Sequence, residues 1–560
     1  MIKILLLNLP GGRIRTDFPP VGISRVIEGI SPEIECDVSF YDLDSLRPDF
    51  EQIKAKLADF SPQIIGFSAI LTPAFKYLKA LSIYLKKEFP GMIQVLGGEM
   101  AVIYEIILKS TAIDFCVVGQ SEPPFSELIL ALNHDNFLVK DTSSYSKIPG
   151  LVFRDKGKPF FTGPAPQSSP VRQVNYDLLS KFTNISRYVQ EVNGQYYKAR
   201  INPGDLNDFF SLFHKANLNK KMAALFASKG CVGRCTFCHR YFKGYKALPA
   251  GQVTGDIQHL INNHNVGMIL FSEEDFGSDR RSTAEIVDFL KKKNLNWSAG
   301  GVRVTNLDEN TIKNWKEAGC VNVNFGIESC SQKILDVMEK NSRVEDNLNA
   351  LRLCSKHRIA TIISLVLGMP GETEETVDET ISSLAGVIPD DISLVYEISI
   401  NFFQAVPGTA AYEFAKHMGV IDASLSGEEK YIEGLHNAGA TEFSQYLNFT
   451  DYETEEVLYW NDYVLLELYS AYLGKHGVLK VLKRKKAKRF YYAAIYRLLP
   501  RKARRFLLKY YTVVKHHGLS GLADLLRRKW FVKRPAVYAG IDRSLRLINK
   551  DFEAGKICST

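Results

Sequence analysis

The 560-residue chain has no apolar run approaching the ~18 residues of a membrane-spanning helix, which excludes that class. Residues 1–7 are a short apolar run ended by Pro10-Gly11-Gly12, shorter than the core of a secretory signal. Internal repeats and low-complexity tracts are also absent, which excludes solenoids and propellers. Cysteine occurs at only nine positions, too few for a disulfide scaffold in so long a chain. Histidine is missing before His134, so the N-terminal region offers no imidazole ligand.

What is present is concentrated. Three cysteines, Cys231, Cys235 and Cys238, fall within one short loop. In a reducing compartment such spacing reads as metal ligation, and the protein is expected in the cytoplasm. The net charge of +8 is uneven: residues 475–534 carry twenty Lys and Arg against one acid, Asp524. That block therefore holds +19, and subtracting it from +8 leaves −11 on the remainder. A basic block rich in Phe, Tyr and Leu points to an anionic surface, and peripheral contact with an anionic membrane is favoured over nucleic acid. A merely solvated basic face stays open.

The fold class expected is α/β. Apolar runs at 3–9, 38–43, 64–70, 93–96 and 115–119 are spaced for crossover helices, which predicts a doubly wound Rossmann-like domain over 1–140. A Ser-, Pro-, Asn- and Gly-rich bridging segment spans 141–222. Alternation resumes over 223–424 with strand ends near Ser228, Ser272, Ala299, Ile327 and Gly368 and a strand at 392–400, a partial (β/α)6 barrel. Residues 425–560 read as a helical, basic C-terminal region.

The chemistry is carried by Ser228-Lys229-Gly230-Cys231-Val232-Gly233-Arg234-Cys235-Thr236-Phe237-Cys238. Thiolates are the usual iron–sulfur ligands, and three of them leave one iron of a 4Fe–4S cluster open. Zinc would want a fourth ligand, and His239, directly after Cys238, is poorly placed to complete a tetrahedron. C-x3-C-x2-C with an aromatic before the last cysteine resembles the radical S-adenosylmethionine (radical SAM) superfamily. Phe271-Ser272-Glu273-Glu274-Asp275-Phe276, Phe325-Gly326-Ile327-Glu328-Ser329, Gly368-Met369-Pro370-Gly371-Glu372-Thr373 and Pro407-Gly408-Thr409 are similar to further elements of that family. The resemblance implies that S-adenosylmethionine chelates the open iron and is cleaved to a 5′-deoxyadenosyl radical. It also implies that Phe237, Glu274, Arg303 and Glu328 contact the cofactor; structural ion pairs or strand-end caps are the alternatives. Cys320, Cys330 and Cys354 read as buried core thiols.

Pro19-Pro20-Val21-Gly22, Ile65-Gly66-Phe67-Ser68, Leu96-Gly97-Gly98 and Val118-Gly119-Gln120-Ser121-Glu122 resemble the cobalamin-binding class of radical SAM proteins. That implies bound cobalamin, with Ser68 and Thr72 toward corrin amides or the nucleotide tail and Gly97, Gly98 and Gly119 where backbone approaches the ring. The D-x-H-x-x-G loop is absent, so no axial histidine comes from it. A domain that has lost its ligand is the alternative. The function expected is C-methylation of an unactivated carbon on a lipid-like, lipid-linked or small-molecule substrate, with flavodoxin or ferredoxin as reducing partner. Oxidative cyclisation or rearrangement, or a cobalamin or redox sensor, are the other readings. Cys36 and Cys116 are too few for the second cluster of a methylthiotransferase.

Overall fold

The computed structural model describes all residues except 13, 70–73, 140–141, 167–170, 241–242, 436–445, 529–540 and 555–560. Five parallel strands open the chain: β1 (Ile2–Asn8), β2 (Cys36–Asp42), β3 (Ile64–Ser68), β4 (Ile93–Gly97) and β5 (Phe115–Val117). The antiparallel β6 (Leu151–Asp155) and β7 (Lys158–Phe161), from within the bridging segment, extend the same sheet. Its order is β2-β1-β3-β4-β5-β6-β7. Side chains alternate along these strands, so Ile4, Leu6, Ile64 and Val95 enter one core while Leu5, Leu7, Ile65 and Leu96 enter another. Both faces are covered, as the near-continuous apolar runs require.

The barrel strands are β9 (Lys221–Leu225), β12 (Val266–Phe271), β13 (Asn296–Val302), β14 (Cys320–Glu328), β15 (Thr361–Leu367) and β16 (Tyr396–Phe402). They pair in parallel and in chain order, a six-stranded partial barrel, with the two-residue β8 (Gln190–Glu191) antiparallel on the outer edge of β9. The first strand ends at Leu225, short of the expected Ser228. Ser228 instead begins β10 (Ser228–Cys231), an antiparallel hairpin with β11 (Gly244–Ala247). Gly230, at φ 76°, supplies a backbone conformation that L residues rarely adopt. One apolar core runs from the first sheet through Phe125 and Leu128 into Leu225, Ile269 and Phe325 of the barrel.

The described C-terminal region is mainly helical, with 446–453 and short connections outside its helices. Thr454–His476 packs on the barrel helix Glu374–Ala385, and both Lys488–Leu498 and Arg501–Arg528 pack on Thr454–His476. Ile541–Glu553 returns to lie against Ala410–His417 and Gln332–Val337. No described helix is long and apolar enough to cross a membrane.

Candidate functional site

Every motif singled out in the barrel lies at the carboxyl edge of its sheet, where a βα barrel carries its chemistry. The cysteine loop is held from three sides. Thr236 donates its N–H to Met338 O at 3.0 Å and accepts from Ala411 N–H at 3.0 Å. The buried Asp275 accepts from Val232 N–H (3.2 Å) and from Ser278 Oγ (2.7 Å), while its own carbonyl accepts from Ser228 Oγ (2.8 Å). Arg303, at the tip of β13, donates to Lys340 O at 3.0 Å and lies so close to Gly233 that a Cβ there would meet its guanidinium at 2.5 Å.

The sulfur arrangement tests what the loop holds. Among the described residues, the group of three metal-ligating side chains whose donor atoms all lie within 4.8 Å of one another is Asp177, His259 and His264, and the three cysteines do not meet that limit. Sulfurs bound at about 2.3 Å to one tetrahedral zinc stand less than about 4 Å apart. The loop as it stands does not gather its thiols around a single tetrahedral ion. The His239 ring packs against Gly408, where an added Cβ would meet it at 3.1 Å. Cys238 leaves part of its surface open, yet its thiol is recessed enough that burial, with Cys235 and Glu274 adding, pushes it up to about 12. Burial likewise raises Cys231. A coordinating metal reverses this and holds thiols as thiolates.

The acids along the sheet edge have separate roles. Glu273 is buried and accepts from Ala227 N–H at 2.9 Å; its second oxygen has no hydrogen-bond partner, and burial pushes the carboxyl up to about 8. Glu274, the residue singled out from the sequence, is exposed at the same strand end and contributes to the field at Cys238. Glu328 ends β14 with φ 60° and pairs with Lys340 Nζ at 2.9 Å. Lys340 in turn is felt by Cys235 and Cys238. A non-glycine residue in that region is strained and concentrates at functional sites. Glu372 accepts from the N–H groups of Gly368 and Met369, which shapes the Gly368–Thr373 turn. Phe237 is half-buried against the apolar cluster of Met338, Phe403 and Phe414.

The N-terminal sheet offers the second half of the site. Its order reverses between β1 and β3, and a doubly wound sheet binds ligands in the crevice outside the strands at such a point. A cleft of about 330 Å³ opens there, lined by Gly22, Ser68, Gly97, Gly98, Ser121 and Glu122 on one side and Phe226 and Lys229 of the barrel on the other. Gly98 has φ 87°, and a Cβ on it would meet Ala69 O at 2.8 Å, so no other residue fits there. Gly119, at φ 84° and exposed, lies outside the cleft lining, and Thr72 lies outside the described residues. A small-residue floor suits a flat macrocycle, and the polar side chains lining the cleft are the hydroxyls of Ser68 and Ser121, the carboxylates of Glu99 and Glu122 and the cations Arg25 and Lys229, with no imidazole. Lys229 is buried at the cleft's barrel side, two residues from Cys231; burial disfavours its charge, and Glu122 opposes that. One short strand thus separates the cleft from the cysteine loop.

Sequence reasoning missed Asp275, Lys340 and the last helix. Asp275 stood in the acidic run beside Glu274 but had no spacing signal of its own. Asn549, on Ile541–Glu553, donates to Arg234 O (2.9 Å) and Glu339 (2.7 Å), Glu553 pairs with Arg240, and Lys243 lies 4.1 Å from the Phe552 ring centre. The C-terminal helix is thereby fastened onto the cysteine loop.

Comparison with known proteins agrees with this division. Residues 225–384 match the family model described as the radical SAM superfamily, and residues 8–129 match the B12 binding domain. An anaerobic magnesium-protoporphyrin IX monomethyl ester cyclase from Cereibacter sphaeroides is 24% identical over 380 residues, 66% of this chain; the chain spans 57% of that relative's length. An uncharacterized methyltransferase from Pyrococcus horikoshii is 24% identical over 437 residues, 74% of this chain and 83% of the relative. The solved structure of OxsB, a cobalamin-dependent S-adenosylmethionine radical enzyme with aqua-cobalamin and S-adenosylmethionine bound, superposes with a TM-score of 0.55. That match covers 99% of this chain and 79% of OxsB at 15% identity, a shared fold.

Proposed function

Since the chain belongs to the cobalamin-binding radical SAM enzymes, we propose that it methylates an unactivated carbon of a small or lipid-linked substrate. When bound, the 4Fe–4S cluster and S-adenosylmethionine supply a 5′-deoxyadenosyl radical that abstracts hydrogen, and cobalamin supplies the methyl group. Cys231, Cys235 and Cys238 hold the cluster. Asp275 and Arg303 keep their loop in place. Glu274, Arg303, Glu328 and Phe237 line the approach to S-adenosylmethionine. Ser68, Gly97, Gly98 and Glu122 cradle the corrin. The observation that carries the proposal is the cleft itself: Lys229 lines it while standing two residues from Cys231, so both cofactors face one substrate space.

The distinguishing experiment supplies methyl-deuterated S-adenosylmethionine to reconstituted protein with candidate substrates. Methyl transfer yields a deuterated product with both S-adenosylhomocysteine and 5′-deoxyadenosine. Oxidative cyclisation, favoured by the cyclase relatives, yields 5′-deoxyadenosine and a product lighter by hydrogen, without S-adenosylhomocysteine. No 5′-deoxyadenosine at all sinks both and leaves the sensor.

A lipid-linked substrate is supported by the outer face of Lys488–Leu498. Tyr491, Tyr492, Ile495 and Leu498 line one side of that helix and are exposed, Leu498 at 85%. Basic helices with exposed aromatic and aliphatic residues lie in the interface of a bilayer.

A further inference from the structure

A cluster of side chains that the proposed reaction does not use lies where the segment ahead of the barrel meets the barrel's first long helix. Asp177 belongs to the short helix Tyr176–Ser180, and His259 and His264 to Ala250–His264. His259 Nε2 stands 2.7 Å from one oxygen of Asp177, and His264 Nε2 stands 3.0 Å from the other. Donor atoms from all three residues lie within 4.8 Å of one another.

Two features separate this cluster from an ordinary pair of histidine–carboxylate hydrogen bonds. Ligand atoms held at about 2.0–2.2 Å by one zinc ion stand roughly 3 Å apart, which is the spacing the imidazole nitrogens and carboxylate oxygens already have. Asp177 and His259 line a crevice of about 340 Å³ together with Asp256, one helical turn before His259. The Asp256 Oδ2 is buried without a hydrogen-bond partner. Burial pushes that carboxyl up to about 6, with His259 opposing and Glu28 adding to the rise. A divalent cation seated at the histidines would offset the charge of that buried oxygen across the crevice.

We infer that Asp177, His259 and His264 form a binding site for a borderline divalent cation of the zinc type, which fastens the segment preceding the barrel to the helix Ala250–His264. Two imidazoles and a carboxylate are a ligand set that zinc, cobalt and nickel ions accept and that magnesium and calcium do not favour. Because one ligand comes from the preceding segment and two from the barrel, the ion acts as a staple. It is independent of the cluster and the cobalamin cleft.

The test uses holoenzyme reconstituted with iron, sulfide and cobalamin, so that iron occupies the three loop cysteines. Zinc titrated calorimetrically into this holoenzyme is expected to bind at one ion per chain and to raise the melting temperature. His259→Ala, His264→Ala and Asp177→Asn should each weaken zinc by more than the about ten-fold that loss of an outer-shell partner costs a metal site. Asp177 and His259 are about half exposed, at 50% and 48% of their side-chain surface, so their replacement leaves the fold and the cluster absorbance intact. Equal zinc affinity in wild type and variants overturns the site. So does absence of zinc binding at micromolar concentration, which leaves two solvent-facing hydrogen bonds.

Discussion

Asp275 is the residue on which the cysteine loop turns, since it ties Val232 N–H, Ser278 and, through its carbonyl, Ser228 to one buried point. Replacing Cys231, Cys235 or Cys238 by Ala should abolish both the bound iron and cleavage of S-adenosylmethionine. Asp275→Ala keeps all three ligands but removes the acceptors of the Val232 N–H and Ser278 hydroxyl bonds, each worth roughly 0.5–1.5 kcal/mol. Iron and sulfide per chain after reconstitution should fall well below wild type, with Asp275→Asn between the two; full iron content in Asp275→Ala would refute its clamping role. Glu328→Gln acts differently, because Glu328 holds Lys340 beside the loop without touching the cysteines' own bonds. Loss of a charged hydrogen bond worth roughly 1.5–3 kcal/mol corresponds to about ten-fold or more in 5′-deoxyadenosine formation. Iron content should stay unchanged, and an undiminished rate would return Glu328 to a structural ion pair. The cysteines were legible because their spacing is itself the signal. Glu274 rather than Asp275 was chosen from the acidic run because nothing local distinguishes neighbours that face opposite ways from a strand end.

At the scale of elements, part of the basic C-terminal block is paired within the chain itself. Lys485 is buried against Asp205 (2.7 Å), Arg484 pairs with Asp208, and Arg489 reaches both Asp205 and Glu397. Arg505 pairs with Glu374 and Asp378, Lys509 with Glu456, and Lys515 with Asp462. The charge asymmetry therefore does not translate whole into a free +19 surface, and the proposed membrane contact draws also on the apolar face of Lys488–Leu498. Vesicle binding should then depend on Tyr492, Ile495 and Leu498 as much as on salt. A variant with those three changed to Ser should sediment with anionic vesicles far less than wild type; equal sedimentation would reduce that face to ordinary surface. The last helix makes a second prediction. Leu545 is fully buried and Phe552 nearly so, and Asn549 bonds the cysteine loop. Asn549→Ala should leave iron loading near wild type yet speed bleaching of the cluster in air several-fold, measured by its visible absorbance. An unchanged bleaching rate would mean that the helix shields nothing.

For the whole molecule, two βα units share a core and meet at a cleft, and burial of acids at the carboxyl edge of the barrel sheet has a pH consequence. Glu273 and Glu372 are both pushed up to about 8 by burial, whereas an unfolded glutamate titrates near its ordinary ~4.3. Between these values the folded chain keeps protons that the unfolded chain has lost. Their contribution to stability is full below about pH 4.3 and is lost as pH rises toward 8. Glu372→Gln, which keeps the neutral form, should flatten the fall in melting temperature between pH 5 and 8; an unaltered slope would show that Glu372 is already ionised. Sequence alone determined the two α/β units, because strand and helix periodicity and apolar runs are local properties of the chain. It also singled out the three cysteines proposed as cluster ligands, since three thiols within one loop need no distant partner. Only the tertiary structure decided that the first strand stops at Leu225 and that the cysteines ride on a hairpin. The same holds for the destination of the basic block, where partners such as Arg484 and Asp208 lie 276 residues apart. Ion pairs and docked helices of that kind are set by closure in space, which no local spacing encodes.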